Sequence, residues 1–323
     1  MVQLRNVWRG LAALALMGAL VVAPAVADPA PEPKGVSEDD AKWLLPDAEV
    51  IFKLNIKQMM GSELMKKGGI EHLKQAINSN EQAKTLLEAA GLDVTKDVDS
   101  ILASAAGTSA KDARTRVVVK GRFNPEKVGE ALKKRDDVKV SKEGATQLYE
   151  VPVHDQTMFA AFADKNTVVL AHNKDAVVNA VKEGGKKAVP VSKDMSKALS
   201  RFTGKESMAV AVVISDDVKK MIANAPRVGE SAAKLQTVTA ALTITDSVTF
   251  NLTGITGNEK AAKSLGNLLQ ILKAAAAESA GDQVPKGVVD ILDAVKVASD
   301  KESVKVDLKV TKDMIEKANK PGG

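Results

Sequence analysis

The pattern of apolar and polar positions between Arg114 and Lys134 predicts a strand that leads into a capped helix. Val117, Val118 and Val119 are β-branched residues, which favour a pleated strand. Asn124 is a preferred N-cap residue, and Pro125 fits the first helical position because its missing N–H would be unpaired there anyway. The sequence therefore predicts a strand that ends before Asn124 and a helix that starts at Pro125.

Other junctions along the chain repeat this order of strand, cap, acidic first turn and helix. The predicted cap residues are Asn173, Ser215, Asn258 and Thr311. Alternating apolar positions predict hairpins over 98–123, 147–171, 235–256 and 295–310, with tight turns at 164–166 and 245–246. The stripe of Leu265, Leu268, Leu269 and Leu272 predicts a long helix over 258–277.

These elements predict an α+β fold in which mainly antiparallel sheets carry helices packed on one face. The order βα-ββα-ββα occurs twice, which suggests an internal duplication. Seven of the thirteen positions from 90 to 102 are identical to the residues 190 positions later. This match pairs the first ββα unit with the fourth, whereas the order of elements pairs it with the third, so the phase of the repeat stays open.

The N-terminal sequence predicts an exported protein. Residues 1–27 have a basic start, an apolar run from Leu11 to Val22 and a small-residue cleavage site at Ala25-Val26-Ala27, as in a secretory signal peptide. An uncleaved anchor is the alternative, although the run is short for a membrane span. No other segment has the roughly 20 apolar residues of a spanning helix, so we expect no membrane span after cleavage.

The rest of the chain is predicted to contain two domains. Residues 28–45 begin with a stretch rich in proline and acidic residues and are interpreted as a flexible linker, at whose end we expect Trp43-Leu44-Leu45-Pro46 to pack onto the edge of the first domain. Residues 46–190 and 204–323 are the first and second α+β repeat domains, joined by a polar connection. The 323 residues contain no cysteine, so disulfides and thiol catalysis are excluded, which fits a periplasmic or extracellular bacterial protein.

The charge and aromatic content of the chain argue against nucleic acid as a partner. The net charge is +5, from 46 basic and 41 acidic residues, which indicates a mixed surface rather than one that binds polyanions. Aromatic residues make up 3% of the chain, and stacking platforms for single-stranded nucleic acid need aromatic rings. We therefore expect no nucleic acid partner.

The first half of the chain carries a resemblance to a group of bacterial proteins. The segments LNIKQMMGSELMKK, GLDVTKDVDSI and GRFNPEKV resemble exported proteins of uncharacterised function from planctomycete-type bacteria. This resemblance implies no particular activity and transfers no functional residue.

No catalytic, cofactor-binding or metal-binding motif is recognisable in the sequence. The three histidines, His72, His154 and His172, lack the spacing of a local metal site. One Ser-x-x-Lys match at 231–234 lacks its companion motifs and is attributed to chance, and the Gly-x-Ser-x-Gly, Walker and Gly-x-Gly-x-x-Gly motifs are missing. We therefore predict no catalytic residues, no cofactor and no metal, and leave open whether the protein is an enzyme. The favoured hypothesis is a non-catalytic envelope protein that binds a protein partner or an amphiphilic ligand.

Two alternatives stay open. One is an envelope hydrolase with dispersed carboxylates, which requires two acidic groups in a cleft with perturbed pKa values. The other is a structural or inhibitor-like domain that binds through exposed loops.

Overall fold

A computed structural model of the chain describes residues 36–79, 84, 87–88, 90–107, 114–153, 156–184, 186, 189–223, 229–280 and 286–318. The chain divides into two compact units. The N-terminal unit takes residues Val36–Gly61 and Met65–Ser192, and the C-terminal unit takes Ser62–Leu64 and the chain from Lys193 onward. The predicted signal peptide lies outside the described residues.

The N-terminal unit is built on a seven-stranded antiparallel sheet in the order β1-β2-β3-β7-β6-β5-β4. Its strands are β1 (Val50–Leu54), β2 (Val98–Ala106), β3 (Arg114–Gly121), β4 (Lys139–Glu143), β5 (Thr146–Val153), β6 (Gln156–Asp164) and β7 (Thr167–Ala171). Its helices are α1 (Glu38–Ala41), α2 (Ile56–Gly61), α3 (Ile70–Asn78), α4 (Val94–Asp97), α5 (Pro125–Lys133) and α6 (Lys174–Glu183), with a π-helical segment at Met65–Gly69.

The C-terminal unit has a five-stranded antiparallel sheet in the order β8-β9-β10-β12-β11. Its strands are β8 (Met208–Val213), β9 (Leu235–Ile244), β10 (Val248–Thr256), β11 (Lys296–Asp300) and β12 (Ser303–Val310). Its helices are α7 (Lys193–Leu199), α8 (Asp216–Ala223), α9 (Gly229–Ala232), α10 (Glu259–Ala280), α11 (Lys286–Ala294) and α12 (Lys312–Ala318). Within the described part of the chain, no helix is both long and apolar enough to cross a membrane.

The predicted α+β class and the antiparallel sheets are confirmed, and three predicted junctions have the expected local chemistry. The side-chain oxygens of Asn124, Asn173 and Asn258 each accept a backbone N–H from the first turn of the following helix. Each asparagine thus satisfies a donor that the helix cannot pair internally. The Ser215 hydroxyl differs from this prediction, because its oxygen is buried without a hydrogen-bond partner in the described structure.

Helices cover both faces of the N-terminal sheet, which corrects the prediction of helices on one face. Paired residues on neighbouring antiparallel strands point to the same side of a sheet. On one side, α6 packs on a cluster of Leu148, Ala161, Ala171, Val177 and Val178. On the other, α5 packs through Val128 and Leu132 on a cluster that includes Tyr149, Val151 and Ala160.

The flexible linker predicted at 28–45 is wrong for residues 37–45, which fold onto the N-terminal unit. Trp43, Leu44 and Leu45 are 6%, 1% and 6% exposed, and the Leu45 N–H donates to Ser104 Oγ. The expected packing of Trp43, Leu44 and Leu45 on this unit is therefore observed. Part of the predicted polar connection also folds, as helix α7, because Met195, Ala198 and Leu199 bury one side of it.

The two sheets have the same connectivity over five strands: the order is first, second, third, fifth, fourth when β4 and β5 are set aside. The identity at an offset of 190, however, aligns residues of strand β2 with residues of helix α11. A strand cannot correspond to a helix in a conserved repeat, so this match is a coincidence of a chain rich in Ala, Val and Lys. The duplication itself stays a prediction.

Candidate functional site

The C-terminal sheet has one face made almost entirely of apolar side chains. Val210 pairs with Ala240, Ala240 with Leu252, and Leu252 with Val306, so all four point to the same side. We call this side the apolar face; its members are Met208, Val210, Val212, Val238, Ala240, Leu242, Phe250, Leu252, Val297, Val304, Val306 and Leu308.

The opposite face of this sheet carries polar side chains together with small or branched apolar ones. Asn251 Nδ2 donates to Asp307 Oδ1 over 2.8 Å, and Thr239, Thr253 and Lys305 lie in the neighbouring row. Helix α7 contacts β8 and β9, where Ala211 is fully buried. The sheet therefore has a mixed face, partly covered by α7, on one side and a continuous apolar surface on the other.

Burial of the apolar face is incomplete. Only Leu242 and Val304, at 6% and 1% exposed, are buried. The other members are all half-buried, although strand side chains of this kind are usually fully covered in a folded core. Apolar surface thus stays accessible to water on several adjacent strands.

Helix α10 covers one end of the apolar face. Gly266 allows close packing there, since a Cβ at this position would lie 2.0 Å from Ser299 Oγ and 3.7 Å from Val304 Cγ2. Ala261, Ala262 and Leu265 are buried in the same half of the helix. The sequence-predicted helix is confirmed here, with Asn258 as its cap.

The C-terminal half of α10 is exposed even though it is apolar. Ile271 is 65% exposed and Leu272 is 43% exposed, while Leu268 and Leu269 are half-buried. Lys273 Nζ donates to the carbonyls of Asp293 and Val295, which links α10 to the end of α11. We use the name apolar layer for the apolar face together with Leu268, Leu269, Ile271 and Leu272.

The histidine whose side chain the structure describes makes a structural contact. His172 Nε2 lies 2.6 Å from Gln156 Oε1, and burial lowers the pKa of the His172 imidazole. The side chains of His72 and His154 lie outside the described residues. No cluster of three or more His, Asp or Glu capable of holding a metal ion occurs in the residues that the structure describes.

The carboxyl groups give no support to the hydrolase alternative. Every described carboxyl group with a perturbed pKa has it lowered, mostly by hydrogen bonds from lysine, arginine or hydroxyl partners; these groups are Asp39, Asp40, Asp93, Asp137, Glu143, Asp216, Asp246 and Glu259. A general acid at neutral pH instead needs a raised pKa. These carboxylates are therefore partners in ion pairs and caps.

A depression of about 440 Å³ lies on the outer side of α5. Lys127, Glu130, Ala131, Lys134 and Arg135 line it, and Arg135 makes hydrogen bonds to both carboxylate oxygens of Asp137. All five lining residues come from one helix and its end, so no second element supplies groups for chemistry.

Comparison with known proteins identifies a fold and no activity. No protein-family model and no curated protein matches the chain. Crystal form III of TP0453, a Treponema protein, matches with a TM-score of 0.54 and 11% identity, over 87% of this chain and 96% of that one. Crystal forms IV and I match with TM-scores of 0.51 and 0.50 at 10% identity, over 88% of this chain and 98% and 97% of theirs. At this identity the chain is similar to TP0453 in its α+β fold alone.

Proposed function

We propose that the protein is a non-catalytic binding protein of the bacterial envelope whose apolar layer binds the hydrocarbon part of an amphiphilic ligand. The observation that carries the proposal is the half-burial of ten of the twelve side chains of the apolar face, beside a helix that exposes Ile271 and Leu272. Envelope location rests on the predicted signal peptide at residues 1–27.

Apolar surface that stays in contact with water is energetically unfavourable. Full burial of a Val, Leu, Ile, Phe or Met side chain stabilises a protein by about 1.5–3 kcal/mol. Exposed apolar patches larger than a few hundred Å² usually mark binding sites. The ten half-buried members of the apolar face leave part of this free energy unused, and it becomes available to a ligand that displaces the water.

The chemistry of the face favours an amphiphile over a protein partner. Strands β9, β10 and β12 each pair on both sides, so their backbone groups are already hydrogen-bonded. The side chains of the apolar face are hydrocarbon apart from the Met208 thioether. A peptide in irregular conformation would leave its own N–H and C=O groups unpaired on such a surface, whereas an alkyl chain has none to satisfy.

The proposal is tested by fluorescence titration of the purified exported protein with a dansylated C11 fatty acid, followed by displacement with palmitate. Lysine substitutions at Ile271 and Leu272 are the site variants, because both positions are exposed enough to accept the change without unfolding. Loss of even one apolar contact worth about 1.4 kcal/mol corresponds to about tenfold weaker binding. We expect saturable, palmitate-displaceable binding that weakens at least about tenfold in Ile271→Lys/Leu272→Lys.

Val140→Lys is the matched control. Val140 is 37% exposed on β4 of the N-terminal unit, close to the 43% of Leu272. This variant loses the same kind of surface apolar group and should bind as the wild type does. Absence of saturable binding, or equal weakening in the control, would reject the amphiphile; a helical peptide that competes in the same assay would point to a protein partner instead.

A further inference from the structure

Residues 37–45, which we call the N-terminal strap, are fixed to the sheet by a buried ion cluster. Asp40 is only 4% exposed, and its carboxylate accepts hydrogen bonds from Lys53 Nζ at 2.6 Å and Lys120 Nζ at 2.8 Å. Ser37 Oγ donates to the same carboxylate over 2.8 Å. Lys53 lies on β1 and Lys120 on β3, so Asp40 joins the strap to two non-adjacent strands.

The end of the strap, Trp43 to Leu45, is apolar and is held by packing and by hydrogen bonds to the sheet. Trp43 lies against Gly184, at the end of α6, where a Cβ would be 2.2 Å from the indole ring. Arg116 Nη1 donates to the Leu44 carbonyl over 3.1 Å. Under the strap lie Leu102 and Val118, which are 3% and 1% exposed. Opening of the strap would expose this part of the sheet.

The C-terminal unit contains a second segment of the same sequence pattern. Residues 36–44 read VSEDDAKWL and residues 191–199 read VSKDMSKAL, with five of nine positions identical. Each segment precedes the first strand of its unit, β1 or β8, and each contains a helix, α1 or α7. The position of Asp40 is taken by Met195, which is fully buried.

We propose that the N-terminal strap is a conformational device that opens locally when the Asp40 ion cluster is broken, whereas residues 191–199 stay closed because the uncharged, fully buried Met195 takes the place of Asp40. A buried ion cluster that loses one partner leaves uncompensated charge, which destabilises the closed state strongly. Proteins open in local units at free energies below that of global unfolding. The charged groups around Asp40 are Lys53 and Lys120 on the sheet, and Asp39, which pairs with Lys42.

Thiol labelling of the full chain tests this device, since the chain has no native cysteine. Leu44→Cys places a probe in the strap, and Leu199→Cys places one at the identical position of the second segment. Leu44 and Leu199 are 1% and 7% exposed, so both probes react only after opening. Each is measured with and without Asp40→Asn at neutral pH under conditions in which labelling reports the open population.

We expect Asp40→Asn to accelerate labelling of Leu44→Cys at least about tenfold and to leave Leu199→Cys within twofold of its rate. Equal acceleration of both probes would show global unfolding and overturn local opening. An unchanged rate at Leu44→Cys would show that the apolar contacts alone keep the strap closed, which also overturns the proposal. Neither result depends on ligand binding by the apolar layer.

Discussion

The close approach of Gly129 to Tyr149 predicts that Gly129→Ala destabilises the wild-type protein but stabilises the Tyr149→Phe variant. Gly129 is buried in the middle of α5, and a Cβ at this position would lie 2.5 Å from Tyr149 Oη and 3.6 Å from Cζ. The Tyr149 ring is 4% exposed, and its oxygen lies 2.9 Å from Gln147 Nε2. The ring therefore has little room to move away from a new methyl group.

Two opposing effects decide the result of Gly129→Ala. Replacing a helical glycine by alanine stabilises the folded state by about 0.8–1 kcal/mol. Forcing an extra methyl into a packed core costs about 1–3 kcal/mol. In the wild-type background we therefore expect a net loss in the free energy of unfolding of about 1 kcal/mol.

In the Tyr149→Phe background the same substitution should stabilise. Removal of Oη leaves a ring carbon at about van der Waals distance from the new Cβ. The higher helix propensity of alanine then acts almost alone, and we expect the free energy of unfolding to rise by about 1 kcal/mol. The coupling between the two positions is thus about 1–3 kcal/mol, well above the additivity error of distant sites.

Urea unfolding measures this cycle in the N-terminal unit. Trp43 is the only tryptophan outside residues 1–27, and it is 6% exposed in this unit, so its fluorescence reports the relevant core once the leader is removed. Tyr149→Phe alone supplies the reference for the lost Gln147 hydrogen bond. If Gly129→Ala changes the free energy of unfolding equally in both backgrounds, the Tyr149 hydroxyl does not restrict a side chain at position 129.

Three further predictions concern buried polar groups and a cap. Burial raises the pKa of Asp40, but hydrogen bonds from Lys120 and Lys53 outweigh this effect and hold the pKa below its ordinary value. The stability that the Asp40 carboxylate contributes is therefore present at neutral pH and is lost as the pH falls through the lowered pKa. Trp43 fluorescence measured against pH should show this loss, and Asp40→Asn should abolish it. Ser104→Ala should cost about 1–3 kcal/mol in urea unfolding because the Leu45 N–H is left without its acceptor, and a loss below about 0.5 kcal/mol would mean that this bond is dispensable. Asn258→Ala should lower the free energy of unfolding by about 0.5–2 kcal/mol because α10 loses its N-cap, whereas Asn258→Ser should keep most of this stability. Equal destabilisation by the two substitutions, measured by thermal unfolding, would contradict a capping role.

Local chemistry made the strand-to-helix junctions predictable from the sequence. Asn124, Asn173 and Asn258 act through groups within three residues of themselves, so a short window contains the whole cause. The turn at 164–166 was predictable for the same reason, since Asp164 Oδ1 accepts the Asn166 N–H.

Elements that depend on distant contacts were not predictable. Strand β4 reads Lys-Val-Ser-Lys-Glu and exposes most of its side chains, so no apolar alternation marks it; its pairing with β5 defines it. The fold of residues 37–45 depends on Lys53, Lys120 and Ser104, which are far away in the chain. The apolar face was missed because each strand supplies only one to three of its side chains, and its continuity exists only in the paired sheet.

The connectivity of the two sheets bears on the order in which the two units fold. In each unit one pair of neighbouring strands is not consecutive: β3 pairs with β7, and β10 pairs with β12. The excursions that these pairs close are residues 122–166 and 257–302, which are nearly equal in length, so their loop-closure entropies differ by only about a tenth of a kcal/mol or less. Topology alone therefore does not favour either unit, and we expect the order of folding to depend on the stability of the elements inside each excursion. One excursion contains a nine-residue helix and the three paired strands β4, β5 and β6, and the other contains helices of 22 and nine residues.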